Sequence, residues 1–239
     1  MSSLTCIAHR GGPLALNQPL PENSLAAISR ALDLGVDAVE IDVYAVEGEL
    51  LVTHDRRLGR VVSGQGLIGE LSLAYLREQH LENGEPLPTL GAVLALVGSR
   101  ALLNIELKGG ACAPLVQQQL AQFCSDFQQS YEQYLVSSFD HQQLYQCLQL
   151  MPQVRRGVLI EGIPLDYAQC CVPLQAYSLN PHIGFITPEL LMDARKRGFQ
   201  SWVYTANHVD DWSYLARLGV DAVFTDKPDE LMKFSAALK

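Results

Sequence analysis

Short apolar runs alternate with longer amphipathic stretches along the whole chain. The runs have the length of buried strands and lie at residues 4–8, 38–43, 101–106, 134–137, 156–160, 174–178, 200–204 and 222–225. Helical spacing of apolar residues predicts helices at 24–34, 114–127, 141–150, 188–197, 210–218 and 229–236. This alternation predicts an α/β fold, a parallel (β/α)8 TIM barrel. Such a barrel takes about 250 residues as one unit, so we expect a single domain over residues 1–239.

Residues 44–90 interrupt the alternation, because they are too many for a simple connection between two strands. Residues 48–55 predict a turn and a short strand, and glycines recur in the stretch that follows. We predict that residues 44–90 form an excursion at the mouth of the barrel, the carboxyl-terminal end of its strands. Long loops at that end commonly carry functional residues.

Pairs of charged residues close two of the predicted strands. Glu40 and Asp42 end the second strand, and Glu106 and Lys108 end the third. Residues two apart on a strand point to the same side, so Glu40 and Asp42 repel each other and require a compensating cation. For either pair alone, a helix cap or salt bridges to Arg10 and Lys108 would be a sufficient explanation. Both pairs at equivalent strand ends favour one divalent cation, Mg²⁺ first and Ca²⁺ or Mn²⁺ as alternatives.

Two histidines stand near the same strand ends. His9 and Arg10 follow the first strand, and His54 and Asp55 follow the short strand of the excursion. A lone histidine is more often structural, but an imidazole beside a metal-bound phosphate can move a proton at neutral pH. Two of them allow one to act as base and the other as acid. Arg10 offers a fork for phosphate oxygens, and Lys108 offers a compact positive charge.

Aromatic and charged residues mark the last two strands. Trp202 and Tyr204 alternate on the seventh strand. Core packing explains Trp202, whereas Tyr204 lies nearer the mouth and is predicted to contact substrate. Asp221, Asp226 and Lys227 flank the last strand beside a helix start, so we predict a structural role for them.

Composition and charge narrow the function. Apolar residues make up 48% and charged residues 18% of the chain, as in a globular protein with a sizeable core. The net charge of −9 argues against nucleic acid as a partner, since binding it requires clustered Lys and Arg. The same charge repels an anionic phosphodiester, so attraction must be local, from a bound cation, Arg10 and Lys108.

The chain shows no signal for export or membrane insertion. Residues 1–5 contain no basic segment, and no run approaches about 18 consecutive apolar residues. The six cysteines form no C-x-x-C or zinc pattern, and we interpret them as small buried residues with free thiols. These features predict a cytoplasmic protein without a membrane span, and they leave open whether it forms a homodimer.

A series of short motifs extends over nearly the whole chain. The motifs are His9-Arg10-Gly11, Pro21-Glu22-Asn23-Ser24, Glu40-Ile41-Asp42-Val43, His54-Asp55, Pro86-Leu87-Pro88-Thr89-Leu90, Glu106-Leu107-Lys108, Ser138-Phe139 and Thr225-Asp226-Lys227-Pro228. In this order they resemble the glycerophosphodiester phosphodiesterase family, most of all its short cytosolic bacterial members. The resemblance implies a metal-dependent barrel that hydrolyses a small-molecule glycerophosphodiester to sn-glycerol 3-phosphate and an alcohol.

The resemblance also implies roles for individual residues. They are metal ligation by Glu40, Asp42 and Glu106, acid/base catalysis by His9 and His54, phosphate binding by Arg10 and Lys108, and substrate contact by Ser138, Phe139 and Tyr204. The chain departs from the family where Tyr204 replaces a common Trp, which leaves the specificity for the alcohol open. Arg57 and Val61 stand where Thr is common in the family, which leaves the contacts of the excursion open but does not concern the metal ligands.

Two other functions fit part of the pattern. Phospholipase D-like activity on lysophospholipids would use the same barrel and histidines, but no amphipathic segment or basic patch predicts a lipid interface. A catalytically silent barrel would bind a phosphate ester without turnover. Such a protein would be free to lose some of the two histidines, three carboxylates and two cationic residues, whereas this chain keeps them all. The sequence does not assign acid and base between His9 and His54, nor does it distinguish attack by water from attack by the glycerol 2-hydroxyl.

Overall fold

The computed structural model describes residues 3–238, and within them eight parallel strands close into a barrel. The strands of the chain are β1 (Thr5–Ala8), β2 (Ala38–Val46), β3 (Glu49–Val52), β4 (Leu102–Lys108), β5 (Tyr134–Ser138), β6 (Arg155–Ile160), β7 (Ser178–Pro181), β8 (Gln200–Val203) and β9 (Ala222–Thr225). The barrel closes because β1 pairs with β2 on one side and with β9 on the other. Only β3 lies outside the barrel among the described strands, antiparallel to β2. The predicted TIM barrel is confirmed.

Helices cover the outside of the barrel. The α-helices are α1 (Leu25–Leu34), α2 (Leu73–Arg77), α3 (Leu90–Val97), α4 (Cys112–Phe127), α5 (His141–Leu150), α6 (Pro188–Lys196), α7 (Val209–Leu218) and α8 (Pro228–Ala236). Short 3₁₀ helices lie at His9–Gly11, Ala15–Asn17, Ile68–Glu70, Tyr131–Gln133, Tyr167–Cys171 and Ile183–Phe185. Between β6 and β7 the described chain forms a 3₁₀ turn in place of an α-helix. No helix within residues 3–238 is long and apolar enough to cross a bilayer.

The sequence explains where α1 begins and ends. The Ser24 hydroxyl accepts a hydrogen bond from the Ala27 N–H at 3.0 Å, which caps the first turn. The Glu85 carboxylate, from the excursion, accepts the Leu25 N–H at 2.9 Å and adds a negative charge at the positive end of the helix. Gly35 ends the helix with φ 78°, a left-handed conformation that glycine adopts at little cost. The Glu85 contact also ties the excursion to the first turn of α1.

The core has three parts. The largest lies between the barrel wall and the helices, where the apolar stripe of each amphipathic helix packs on the outward side chains of the strands. The second fills the lower barrel interior and includes Ile7, Leu135, Trp202 and Phe224. The expected packing role of Trp202 is therefore confirmed. Because these apolar side chains fill the bottom of the barrel, the carboxylates of Glu40, Asp42 and Glu106 lie above them, toward the mouth.

The excursion has an apolar cluster of its own. After Val46 the chain turns and returns as β3, which pairs Val52 with Val43 of β2. The buried members of the cluster are Val46, Leu51, Leu58, Val62, Ile68, Leu76, Leu81 and Leu87. This packing gives the residues that follow β3 a defined position over the barrel mouth.

Two predictions of secondary structure were wrong. A strand was predicted at 174–178, but β7 begins at Ser178, because the buried Arg156 guanidinium binds the Leu174 and Gln175 carbonyl groups and holds that stretch in a turn. The helix α3 was not predicted, because its sequence is apolar on all sides and lacks an amphipathic period. All six cysteines have free thiols, as expected, and five are buried.

Candidate active site

Three buried carboxylates meet at the mouth of the barrel. Glu40 and Asp42 lie on β2 and Glu106 lies on β4, and the two strands pair in parallel with Asp42 opposite Glu106. One carboxylate oxygen from each residue lies within 4.8 Å of the other two. Their exposed fractions are only 2%, 0% and 8%. We call these three residues the carboxylate cluster.

Two cationic side chains neutralise part of this charge. Lys108 Nζ lies 3.3 Å from Asp42 Oδ1 and also forms an ion pair with Glu106. Arg10 Nε lies 3.4 Å from Asp42 Oδ2, and the Arg10 backbone N–H donates to Glu40 Oε2 at 2.9 Å. The salt bridges considered as an alternative to a metal are therefore present. They are not sufficient, since three carboxylates face two cations.

The cluster retains acceptor atoms that the described residues do not satisfy. Glu40 Oε1 is buried and accepts no hydrogen bond from any part of residues 3–238, and Asp42 Oδ1 has only its 3.3 Å ion pair with Lys108. A buried unpaired carboxylate oxygen is costly unless a cation or a donor binds it. All-oxygen donor sets are the ones that Mg²⁺, Ca²⁺ and Mn²⁺ prefer. The residues therefore fit a hard divalent cation.

Ionisation of the cluster is strongly perturbed. Burial and the neighbouring Asp42 raise the pKa of Glu40 well above its usual value. Burial and Asp42 also raise the pKa of Glu106, to about 7, although Lys108 acts in the opposite direction. Burial would raise the pKa of Asp42, but Lys108 and Arg10 bring it below its usual value. At neutral pH the cluster thus keeps Asp42 ionised and disfavours three simultaneous negative charges.

Asn23 binds Asp42, a contact that the sequence did not reveal. Asn23 Nδ2 donates to Asp42 Oδ2 at 2.8 Å, and the Asp42 N–H donates to Asn23 Oδ1 at 3.2 Å. Asn23 has φ 61°, a left-handed conformation that asparagine tolerates better than most residues. In the sequence its motif is one of the series that resembles the family, and the pairing with Asp42 depends on how that segment folds back over β2.

His9 is held by a carboxylate from the opposite end of the chain. Its Nδ1 lies 2.8 Å from Asp226 Oδ1, and Asn207 Nδ2 donates to the other oxygen of Asp226 at 2.7 Å. Burial would raise the pKa of Asp226, but the hydrogen bond with His9 brings it below its usual value. Besides the structural role predicted for it, Asp226 therefore fixes the position of the His9 ring at the mouth. Asp221, in contrast, accepts the Ser201 N–H at 2.8 Å and has the structural role expected of it.

His54 reaches the mouth from the excursion. It follows β3, and its Nδ1 lies 3.0 Å from Asp55 Oδ1. Burial lowers the pKa of His54 below its usual value. Hydrogen bonds from Arg60 hold Asp55 ionised, with a pKa of about 2. As at His9, a carboxylate on Nδ1 leaves Nε2 as the free nitrogen.

Aromatic side chains form one wall of the mouth. The Tyr204 hydroxyl donates to the Ile160 carbonyl at 3.1 Å, and its ring meets Phe139 edge-on at 5.8 Å between ring centres. Lys108 Nζ lies 5.7 Å from the Phe139 ring centre, which joins this wall to the carboxylate cluster. The Ser138 hydroxyl is buried and donates to the Leu107 carbonyl at 2.9 Å, so its donor capacity is already used.

Comparison with known proteins identifies the family. The chain matches the "Glycerophosphoryl diester phosphodiesterase family" over residues 9–230. It belongs to that family. A glycerophosphodiester phosphodiesterase from Caldanaerobacter subterraneus subsp. tengcongensis is 30% identical over 236 residues, which cover 95% of each chain. Another from Bacillus altitudinis is 30% identical and covers 97% of this chain and 98% of the relative.

A solved structure supports the same relationship. An Oleispira antarctica phosphodiesterase in complex with the product sn-glycerol-3-phosphate superposes with a TM-score of 0.83 at 28% identity. The alignment covers 97% of this chain and 96% of that one. The predicted membership of the glycerophosphodiester phosphodiesterase family, and the enzyme class of phosphoric diester hydrolase, are confirmed.

Proposed function

We propose that the protein hydrolyses glycerophosphodiesters to sn-glycerol 3-phosphate and an alcohol, with one divalent cation, as a single domain over residues 1–239. The observation that carries the proposal is the buried carboxylate cluster with two cations and two carboxylate-bound histidines around it. The Oleispira antarctica relative was solved with the product sn-glycerol-3-phosphate, which is the phosphate ester that we propose as the product here.

Glu40, Asp42 and Glu106 would hold the cation. When bound, a divalent cation polarises a phosphoryl oxygen and lowers the pKa of a nearby hydroxyl. Of the three ions considered, we propose Mg²⁺, with Ca²⁺ and Mn²⁺ as the alternatives to be compared with it.

Arg10 and Lys108 bind the phosphoryl oxygens. Both already lie within 3.4 Å of Asp42, so their charges are directed at the cluster before substrate arrives. Fixed positive charge offsets the negative charge that builds on the phosphoryl group in the transition state. Removing one contact of this kind typically costs about 3 kcal/mol, or about 10²–10³ in rate.

The two histidines move the protons. Because Asp226 and Asp55 bind the Nδ1 atoms, each ring acts through Nε2. One histidine takes the proton from the attacking group, which is either water or the glycerol 2-hydroxyl. The other histidine protonates the departing alkoxide. We propose that His9 acts nearer the nucleophile. Attack by the glycerol hydroxyl would form a cyclic phosphate that water then opens.

The test is release of glycerol 3-phosphate from several glycerophosphodiesters, with chelator and with each divalent ion restored. We expect turnover to stop in chelator and to return with the preferred ion. Glu40→Ala and Asp42→Ala should abolish product release, whereas Glu132→Gln, at an exposed carboxylate, should not. Near-normal turnover by Glu40→Ala or Asp42→Ala in metal-stripped buffer would refute the proposal.

One observation favours lysophospholipids as a second class of substrate. Phe139, Ile163 and Phe185 follow β5, β6 and β7 at the mouth, with exposed fractions of 44%, 45% and 38%. Apolar side chains on the same rim as the charged site suit a substrate with one alkyl chain. Comparing glycerophosphocholine with lysophosphatidylcholine below its micellar concentration separates the two classes. A lower kcat/KM for the lysophospholipid would count against the second class.

A further inference from the structure

A chain of ion pairs crosses the mouth from the connection between β1 and α1 to the excursion. Arg10 Nη1 donates to Glu22 Oε1 at 3.0 Å. The Arg60 guanidinium binds both oxygens of Glu22, with Nη1 3.2 Å from Oε2. It also binds both oxygens of Asp55, with Nη2 2.9 Å from Oδ1. Asp55 in turn binds His54, so a continuous path joins Arg10 to His54.

Arg60 occupies the centre of this path. Ligand atoms of Glu22, His54 and Asp55 lie within 4.8 Å of one another, which is close enough to hold an ion. Here the guanidinium already binds the two carboxylates and supplies the positive charge they need. Its planar fork binds both oxygens of each carboxylate in a fixed geometry, whereas a lysine ammonium is a compact charge that lacks this fork.

Each end of the path reaches a residue of the proposed mechanism. Asp55 fixes the ring of His54 through Nδ1 and thereby aims Nε2. Glu22 holds one edge of the Arg10 guanidinium, while Arg10 Nε faces Asp42 at 3.4 Å. A side chain that binds both Glu22 and Asp55 therefore sets the orientation of His54, the proposed acid/base residue, and of Arg10, the proposed phosphate-binding residue.

We propose that Arg60 is a positioning residue of the active site, which orients His54 through Asp55 and Arg10 through Glu22. The inference rests on the proposed function for its kinetic consequences. Arg60 itself lies over the mouth with 54% of its side chain exposed and has no assigned contact with the reacting atoms. Exposed ion pairs contribute little to stability, so its main effect is on geometry.

The kinetic test compares Arg60→Ala, Arg60→Lys and Arg57→Ala on glycerophosphocholine. Arg57 is a matched control, because it is exposed on the same segment and its side chain forms no ion pair within the described chain. We expect Arg60→Ala to lower kcat at least tenfold and to raise KM less, with a melting temperature close to that of wild type. Arg60→Lys should recover only part of the loss, and millimolar guanidinium should restore Arg60→Ala but not Arg60→Lys.

A readout independent of turnover completes the test. In wild type the nitrogen NMR signals of the His54 ring should show a proton fixed on Nδ1. In Arg60→Ala these signals should average between the two neutral tautomers, whereas in Arg57→Ala they should stay as in wild type. An unchanged His54 signal in Arg60→Ala, or wild-type kcat/KM in an active preparation, would overturn the proposal. If wild type hydrolyses no phosphodiester, the proposed function fails, and the NMR comparison still decides the role of Arg60.

Discussion

The pKa of Glu106 makes a quantitative prediction about stability in the absence of divalent cations. In the folded protein the pKa is about 7, against an ordinary value of 4.5. Between these values the folded state binds more protons than the unfolded chain, so the free energy of unfolding falls as pH rises. Each pH unit between two pKa values corresponds to about 1.4 kcal/mol, so most of about 3 kcal/mol is lost between pH 5 and pH 8.

Glu106→Gln tests this reasoning, because glutamine has nearly the same shape and no ionisable proton. We expect the variant to lose about 2–3 kcal/mol of the pH dependence seen in wild type. The measurement is urea unfolding at pH 5 and pH 8 in chelator, with Glu132→Gln as the exposed carboxylate control. The difference between the two pH values, compared across variants, reports the ionisation of Glu106 together with its effect on the neighbouring Glu40.

Added cation provides a second arm of the same experiment. At pH 8 a divalent ion at one hundred times its Kd should stabilise wild type by about 2.7 kcal/mol, because it binds only the folded state. Glu106→Gln should gain less, since one charged ligand is gone. Equal pH dependence in wild type and Glu106→Gln would refute the argument that burial of an ionised Glu106 is what costs stability.

Two further predictions test the surroundings of the site. Asp226→Asn should lower kcat at least tenfold with little change in melting temperature, because His9 loses the charge that fixes its Nδ1 proton. Wild-type values in steady-state kinetics would contradict this prediction. Gly12→Ala should lower the free energy of unfolding by more than about 1 kcal/mol in urea unfolding. The reason is that Gly12 has φ 66° and the new Cβ would lie 2.6 Å from Pro228 Cγ. An unchanged free energy of unfolding would contradict this prediction.

Local sequence carries enough information for most of the barrel. The strands that contain Glu40-Ile41-Asp42 and Glu106-Leu107-Lys108 lie where predicted, although β2 continues to Val46, and parallel pairing of β2 with β4 brings their carboxylates together. The strand β7 was misplaced and the helix α3 was missed, for two different reasons. A long-range contact from Arg156 holds the residues before β7 in a turn, and α3 lacks a polar face.

The sequence by itself determined the strand periodicity, the helix caps and the side of each strand on which its charges lie, because these depend on neighbours along the chain. Only the tertiary structure decided which of those charges meet. Asp226 binds His9 across 217 positions because β9 pairs with β1 to close the barrel. Arg60 joins Glu22 to Asp55 because the excursion packs over the mouth on its own apolar cluster. Barrel closure and loop packing bring together residues that are far apart in the chain, and the spacing of residues along the sequence does not predict such contacts.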